Sequence, residues 1–472
     1  MALWNEQTVE QATQGMVSGH FHASRVEIDS RKIQLGDLFV AIKGDRVDGH
    51  HYVADAFARG AVAAVVTHIP DGVPHKASYV VVPDTLRALE QLGHFARARS
   101  KAKIVGITGS VGKTSAKEMM KLALAAHGKT YATNGNYNNH IGTPLNLANL
   151  PPEWPFAVLE MGMNHAGEIS HLTNMVKPDI AIITTVDAVH LEFFDSVDAI
   201  ADAKAEIFEA VNSGGFALLN RDNIYYEKLR AAAKLRGIEQ IYSFGEHPQA
   251  DATLIAYEPT IQGCGISAQI RGKEYCYTLA ATGKHFATAS LSVLLACDVW
   301  DLPLAASVQA LAEYSEVEGR GKTTPLMLEK GKAWLVDDSY NASPASMRAA
   351  FSKLDELWQM QGKKGRKLLA LGDMRELGDG APAMHAALAD DIIALAFDKV
   401  FTAGALMQHL YSALPTEMRS THMMEAAQLL PLLQKSLQPD DLLLIKGSHG
   451  SLMYQLAASL KSSLVSEKKY AV

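Results

Sequence analysis

Cysteine is nearly missing from this 472-residue chain. Only Cys264, Cys276 and Cys297 occur, an odd number without metal-ligand spacing. That argues against a disulfide framework or a thiolate metal site and fits a reducing cytosol. No apolar run reaches membrane-spanning length, and Met1-Ala-Leu-Trp-Asn-Glu-Gln7 has no basic stretch followed by an apolar one. A soluble, cytoplasmic protein without membrane insertion is therefore expected. Runs of Lys and Arg are also missing, and the net charge of -7 is spread along the chain. This gives no footprint for nucleic acid, so a phosphate-rich ligand would have to be held by local sites. Repeats and low-complexity tracts do not occur. What remains, 48% hydrophobic and 20% charged, is a globular composition long enough for two to four domains with separate cores.

The most informative stretch that is present is Ile104-Val-Gly-Ile-Thr-Gly-Ser-Val-Gly-Lys-Thr-Ser115. It reads as an apolar strand, a glycine-rich turn and a helix start, which together make a phosphate cradle. Gly109 and Gly112 let the backbone approach a polyphosphate, and the helix N-terminal amides point at the anion. Lys113 can reach the outer phosphates, and the Thr114 hydroxyl is placed for Mg²⁺. A purely structural glycine turn ahead of an amphipathic helix is the plainer alternative.

Three segments are expected along the chain. Residues 1–100 alternate short strands (37–44, 79–83) with turns, carry a helix near 52–60 and end in the polar stretch Arg97-Ala-Arg-Ser-Lys-Ala-Lys103. Residues 101–315 repeat a strand-then-helix rhythm with apolar runs at 156–159, 180–183 and 216–219, followed by a β-rich patch at 252–280 and a helix at 287–299. That rhythm predicts a largely parallel sheet with helices on both faces. Residues 316–472 bring four further buried-strand candidates, at 333–336, 367–371, 399–401 and 441–445, a second doubly wound α/β pattern. The end of the chain, 463–472, is expected to fray.

In open α/β sheets ligands bind beyond the carboxyl ends of the strands, and the unusual polar residues cluster there. Glu160 follows the 156–159 strand, where a carboxylate suits a Mg²⁺-nucleotide. His190 follows the strand ending near Thr185, and Asn134-Gly-Asn-Tyr-Asn-Asn139 is dense in amides. Singly, these read equally well as a solvated charge, a structural histidine and a turn. Ser196 can cap a helix running to about Val211 with Gly214-Gly215 as its stop, and its apolar stripe is Val197, Ile200, Ile207, Phe208 and Val211. Lys204 falls on that stripe. Snorkelling to the surface would explain it. So would a functional lysine in a partly desolvated site, because burial favours the neutral amine, the form that reacts with CO₂.

Taken together, these residues resemble the Mur ligase family of ATP-dependent peptidoglycan-precursor ligases over almost the whole chain. Thr108-Gly-Ser-Val-Gly-Lys-Thr114 is similar to that family's short P-loop, shared with folylpolyglutamate synthases. Asp29-Ser-Arg31, Gly36-Asp-Leu-Phe-Val-Ala41 and Asp48-Gly-His50 resemble its UDP-muramoyl-binding domain. Asp338-Ser-Tyr-Asn341, Gly372-Asp-Met374 with Glu376-Leu-Gly378, and Lys446-Gly-Ser448 resemble its C-terminal domain. The resemblance implies an α/β chain of three domains: an N-terminal α/β UDP-binding domain, a central P-loop parallel-sheet ATPase domain and a C-terminal Rossmann-like domain. The implied reaction joins D-alanyl-D-alanine to UDP-N-acetylmuramoyl-tripeptide at the expense of ATP, through an acyl phosphate, in a monomer.

Carried over by position, Gly109, Ser110, Val111, Gly112, Lys113, Thr114 and Ser115 would bind ATP with Asn138, Asn139, Arg320, Asp338 and Asn341. Within that set Arg320 is the phosphate-contacting arginine and Asp338 the ribose ligand. Two Mg²⁺ would be served by Thr114, Glu160, His190 and a carbamylated Lys204. Ser30, Arg31, Phe39, Lys43, Asp48 and His50 would bind the UDP substrate. The chain departs from the family pattern at Phe286 and Ala289, where asparagines are usual, at Ser343-Pro344 in place of Asn-Pro, and at His449 in place of a stronger base. Among alternatives, Asp-Ser-Arg argues against a folylpolyglutamate synthase, and Asp338-Ser-Tyr-Asn341 argues against the ligase adding the third amino acid. A P-loop switch protein would need a guanine-reading Asn-Lys-x-Asp, which the sequence lacks.

Overall fold

The computed structural model describes residues 2–44, 47–73, 77–260 and 263–464. Of the expected frayed tail only Ser463 and Leu464 are described, at the end of the helix Met453–Leu464, and the rest lies outside the described residues. The chain builds three main sheets, with five, nine and six strands.

The central sheet shows why apolar runs of four or five residues make parallel strands. Lys103–Thr108 lies between Phe156–Glu160 and Ile180–Ile183, parallel to both. Successive side chains point to opposite faces, and both faces are covered. Val105, Ile107, Val158 and Ile182 pack under helices Lys113–Ala125 and Lys284–Val299, whereas Ile104, Leu159 and Ile183 pack under Glu168–Val176 and Val197–Ala205. Thr130–Ala132 closes one edge, while Phe216–Asn220 and Gln240–Gly245 extend the other. The β-rich patch is an antiparallel extension, Ala252–Thr260, Gly263–Ile270 and Lys273–Leu279.

The C-terminal sheet is parallel in the order Lys332–Asp338, Leu442–Lys446, Lys367–Gly372, Lys399–Ala403, Arg419–Met423, with Lys322–Met327 antiparallel on its edge. The first of these strands runs further than its apolar run predicts, so Asp338 is its last residue.

In the N-terminal sheet, Arg25–Glu27, Asp37–Val40, Ala63–Val66 and Ser78–Val81 are parallel and Met16–Ser18 pairs antiparallel. Its helix Thr85–Arg99 packs on Gly142–Ala148 of the central segment, where a Cβ on Gly93 would stand 3.0 Å from the Pro144 backbone. The Asn149 side chain joins the same contact, accepting from Val26 N at 2.8 Å and donating to Val26 O at 2.9 Å.

Two expectations are corrected here. The helix after Ser196 is α-helical only to Ala205 and then tightens to a 3₁₀ turn over Glu206–Ala210. At that turn Glu206 accepts from the Gly167 and Ser170 amides, so tertiary hydrogen bonds override the local pitch. Phe39, expected in the substrate site, is 1% exposed and packs with Val53, Ala56, Val66 and Tyr79 beneath the sheet. It alternates with Leu38 and Val40, which face the opposite core. Phe39→Ala should therefore cost about 3–5 kcal/mol of folding stability, read as a lowered midpoint in thermal or urea unfolding of the N-terminal segment.

Candidate active site

A cleft of about 750 Å³ opens between the carboxyl ends of the central and C-terminal sheets, lined from both domains. Its floor is the glycine-rich turn. Gly109 and Gly112 have φ of 149° and 88°, and a Cβ on Gly109 would lie 1.9 Å from Thr184 Oγ1, so only glycine fits. Thr184 Oγ1 donates to Val111 O at 2.6 Å and Ser110 N donates to Thr185 O at 2.8 Å, pinning the turn to the neighbouring strand end. Helix Lys113–Ala125 begins without a side-chain cap, which leaves its first amides directed at the cleft. Lys113 Nζ donates to Gly109 O at 2.6 Å. Burial pushes the Lys113 ammonium below its ordinary value; the Glu160 carboxylate opposes that and Arg320 reinforces it.

Glu160, the buried last residue of its strand, brings three pieces together. Its Oε2 accepts from Thr114 Oγ1 at 3.0 Å, its Oε1 accepts from Asn138 Nδ2 at 2.7 Å, and its amide donates to Thr133 Oγ1 at 2.9 Å. A hydroxyl and a carboxylate side by side at a phosphate cradle are hard oxygen donors that fit Mg²⁺, which takes one or two carboxylates and completes its shell with phosphate oxygens. Among the described residues no three His, Cys, Asp or Glu side chains converge as a self-sufficient metal cage.

The C-terminal domain forms the facing wall. Arg320 sits in a turn between Gly319 and Gly321 (φ 71° and 92°), and its guanidinium lies over the Tyr340 ring, 4.1 Å from the centroid. Asp338 accepts from buried Lys446 Nζ at 2.5 Å, and the same ammonium donates to Asn341 O at 3.0 Å. The two domains also meet directly. His190 Nδ1 and Glu376 Oε2 are 2.5 Å apart, a contact that holds the Glu376 carboxyl below its usual range despite opposing burial.

Lys204 is 2% exposed and is not among the residues lining the cleft, and no hydrogen bond or ion pair to its ammonium is found among the described residues. Burial first, and the Lys113 charge second, push its ammonium well below its ordinary value. The snorkelling alternative is thereby removed.

Several expected ligands sit elsewhere. Asn139 does not line the cleft; its Oδ1 accepts from the Ile141 and Gly142 amides at 3.2 and 2.9 Å, a turn role that spends the acceptor. Among the described residues, none of the first hundred lines this cleft either. His50 is buried with its ring fully engaged, Nδ1 to Asp48 Oδ1 at 2.6 Å and Nε2 accepting from Thr67 N at 2.9 Å. The Asp48–His50 pair is therefore a structural clasp. Ser30 is also buried, whereas Arg31, paired with Asp29 at 2.8 Å, and Lys43 are exposed on the N-terminal domain.

Two buried lysines that support the site were not anticipated. Lys117 Nζ donates to Thr133 O at 2.9 Å and so anchors the loop that carries Asn138, while Lys353 pairs with Glu316 at 2.9 Å and donates to Gly321 O at 2.6 Å, beside Arg320. Lys117 was findable by the reasoning used for Lys204, since it lies one turn after Lys113 among the buried Ala116, Met119 and Met120.

A P-loop facing an arginine and an aspartate from a separate α/β domain is the arrangement of a nucleotide-using transferase or ligase. Comparison with known proteins narrows the class. The Mur ligase family catalytic-domain model matches residues 22–99, the Mur ligase middle domain matches 107–297, and the Mur ligase glutamate ligase domain matches 326–449. The UDP-N-acetylmuramoyl-tripeptide–D-alanyl-D-alanine ligase of Rickettsia prowazekii is 34% identical over 95% of this chain and 97% of its own length. The enzyme of the same name from Escherichia coli is 32% identical over 93% and 94%. The crystal structure of MurF from Acinetobacter baumannii superposes with a TM-score of 0.83 at 30% identity, covering 97% of this chain and 98% of that one. The chain belongs to the Mur ligase family. It is an ATP-dependent amide ligase that works with Mg²⁺.

Proposed function

We propose that this enzyme joins D-alanyl-D-alanine to UDP-N-acetylmuramoyl-tripeptide, forming the UDP-muramoyl-pentapeptide precursor of peptidoglycan in the cytoplasm. The observation that carries the reading is a single cleft in which the phosphate cradle of the central domain faces Arg320 and Asp338 of the C-terminal domain. The near full-length likeness to ligases of that one name supports it. We divide the chain at residues 1–100, 101–315 and 316–472, a division supported by the three separate sheets. Among the described residues no helix is long and apolar enough to cross a membrane.

A carboxylate is a poor acyl donor, so the terminal carboxylate of the tripeptide first takes the γ-phosphoryl of ATP. Gly109 to Ser115 cradle the phosphates, Lys113 and Arg320 hold opposite sides of the transferring group, and Asp338, with Asn341 nearby, takes the ribose. Mg²⁺ supplies neutralisation of phosphate charge. Thr114 and Glu160 would hold one ion, oriented by Asn138, and His190 with a carbamylated Lys204 would hold a second. The amine of the dipeptide then attacks the acyl phosphate, the C–N bond forms, and inorganic phosphate leaves as the tetrahedral intermediate collapses. The C-terminal domain covers the cleft, which keeps water from the acyl phosphate. Arg31 and Lys43 offer exposed cations to the uridine diphosphate on the N-terminal domain.

Phosphate release tests the reading. It should be slow with UDP-muramoyl-tripeptide or D-alanyl-D-alanine alone and fast only with both, and the product should be heavier by one dipeptide less water. A single amino acid should be a poor acceptor and the UDP-muramoyl-dipeptide a poor donor, because each leaves part of a shaped site unfilled. Efficient addition of one amino acid to the UDP-muramoyl-dipeptide would move the enzyme to the preceding step.

A further inference from the structure

We propose that Glu376 is a positioning residue for this chemistry: through its carboxylate the C-terminal domain orients the His190 imidazole, so that the two domains complete one metal-nucleotide site only when they are together. The inference rests on the metal reading of His190 given above and adds a residue from the other domain to it.

The contact is built from both sides. His190 Nδ1 meets Glu376 Oε2 at 2.5 Å, and Glu192 N donates to Glu376 O at 3.2 Å, so side chain and backbone both join the turns. Both residues hold left-handed backbone, with φ of 57° and 63°, although neither is glycine, asparagine or aspartate. Such strain persists where the surroundings over-determine it. Here the surroundings are rigid. Three residues before His190, Asp187 exchanges hydrogen bonds with the Ser110 hydroxyl of the phosphate cradle, donating from N at 2.9 Å and accepting at O at 3.1 Å. On the other side Met374 N donates to His385 Nε2 and Arg375 N donates to Ser448 Oγ, each at 2.9 Å, which fixes the loop that delivers Glu376.

The chemical consequence follows from imidazole's two nitrogens. A carboxylate that accepts from Nδ1–H leaves Nε2 as the lone-pair nitrogen, and no partner to His190 Nε2 is found among the described residues. Histidines that serve metals are commonly held in this way by a carboxylate on the far nitrogen. His190 and Glu376 both line the cleft. Separation of the domains would remove the carboxylate and free the ring to turn.

The test uses the whole enzyme with Mn²⁺ as the probe and a non-hydrolysable ATP analogue, reading bound Mn²⁺ by electron paramagnetic resonance, with kcat and KM measured in parallel. Glu376→Ala and Glu376→Asp should each weaken Mn²⁺ binding about 10–100-fold. The first lacks the acceptor, and the second keeps the charge but stops short of Nδ1. Glu376→Gln, whose amide oxygen can still accept from Nδ1–H, should stay near the parent. The kinetic loss should fall on kcat at limiting metal and be relieved by added metal. Parent-like Mn²⁺ binding in the Ala and Asp variants would overturn the proposal. So would an equal loss in the Gln variant, which would mark the pair as a charge latch between domains. If Ala fails to fold, the Asp and Gln pair decides by itself. The Mn²⁺ readout does not depend on which peptide is ligated, so failure of the substrate assignment and failure of this role are separable.

Discussion

Lys113→Ala should fold normally and lose roughly 10²-fold or more in turnover, by comparison with removing one preorganised electrostatic donor. The fold should survive because Lys113 opens a helix, where alanine is the best residue, and because the cradle has its own supports. Thr184 Oγ1 holds Val111 O and Thr185 O holds Ser110 N whether or not the lysine is present. What disappears is a fixed, partly desolvated positive charge at the site of phosphoryl transfer, and Arg320 on the opposite wall loses its counterpart. Water admitted in place of the side chain can supply dipoles but must reorganise in the transition state. The measurement is phosphate release at saturating substrates, with circular dichroism and the thermal midpoint to show that the variant is folded. Turnover within a few-fold of the parent would mean that the turn is only a structural one.

The central and C-terminal folds were legible because parallel strands buried on both faces must be nearly all apolar. Residues 156–159, 180–183 and 441–445 have no second reading once helices intervene. Strands with mixed patterns, such as Arg419–Met423 and Lys322–Met327, were not legible, since an edge strand can afford polar residues on its open side. At the site, the cradle and Glu160 follow from local rules, a strand end and a helix start. Phe39, His50 and Asn139 show where such rules fail. A phenylalanine beside a conspicuous motif, a histidine after Asp-Gly and an asparagine in an amide-rich loop serve cores, clasps and turns as readily as ligands, and only burial and hydrogen-bond partners separate these uses. The His190–Glu376 pair lies 186 residues apart in sequence and has no local signature at all, because it exists only when two domains meet.

Lys204 offers the sharpest test, since its variants should separate charge from chemistry. A lysine this buried without a partner is costly as an ammonium and is pushed toward the neutral amine, by burial and then by Lys113. Attack of that neutral amine on CO₂ would form an N–C bond and release one proton, leaving a carbamate anion that Lys113 would attract and that could serve a metal. Lys204→Ala should therefore be nearly inactive while folding well, because it keeps helix propensity in Val197–Ala205. Short carboxylic acids such as acetate, added to the buffer, should restore part of the rate by occupying the vacated metal-facing position. Lys204→Arg should stay inactive, because a guanidinium keeps its proton and cannot carry the carboxylate. The parent should lose activity on stringent removal of CO₂ and regain it with bicarbonate, whereas Lys204→Ala should respond to acetate and not to bicarbonate. An active arginine variant would show that positive charge or packing of the stem is sufficient. Lys204 would then be a buried structural residue of its helix, and the second metal position would have to be completed by His190 and phosphate oxygens alone.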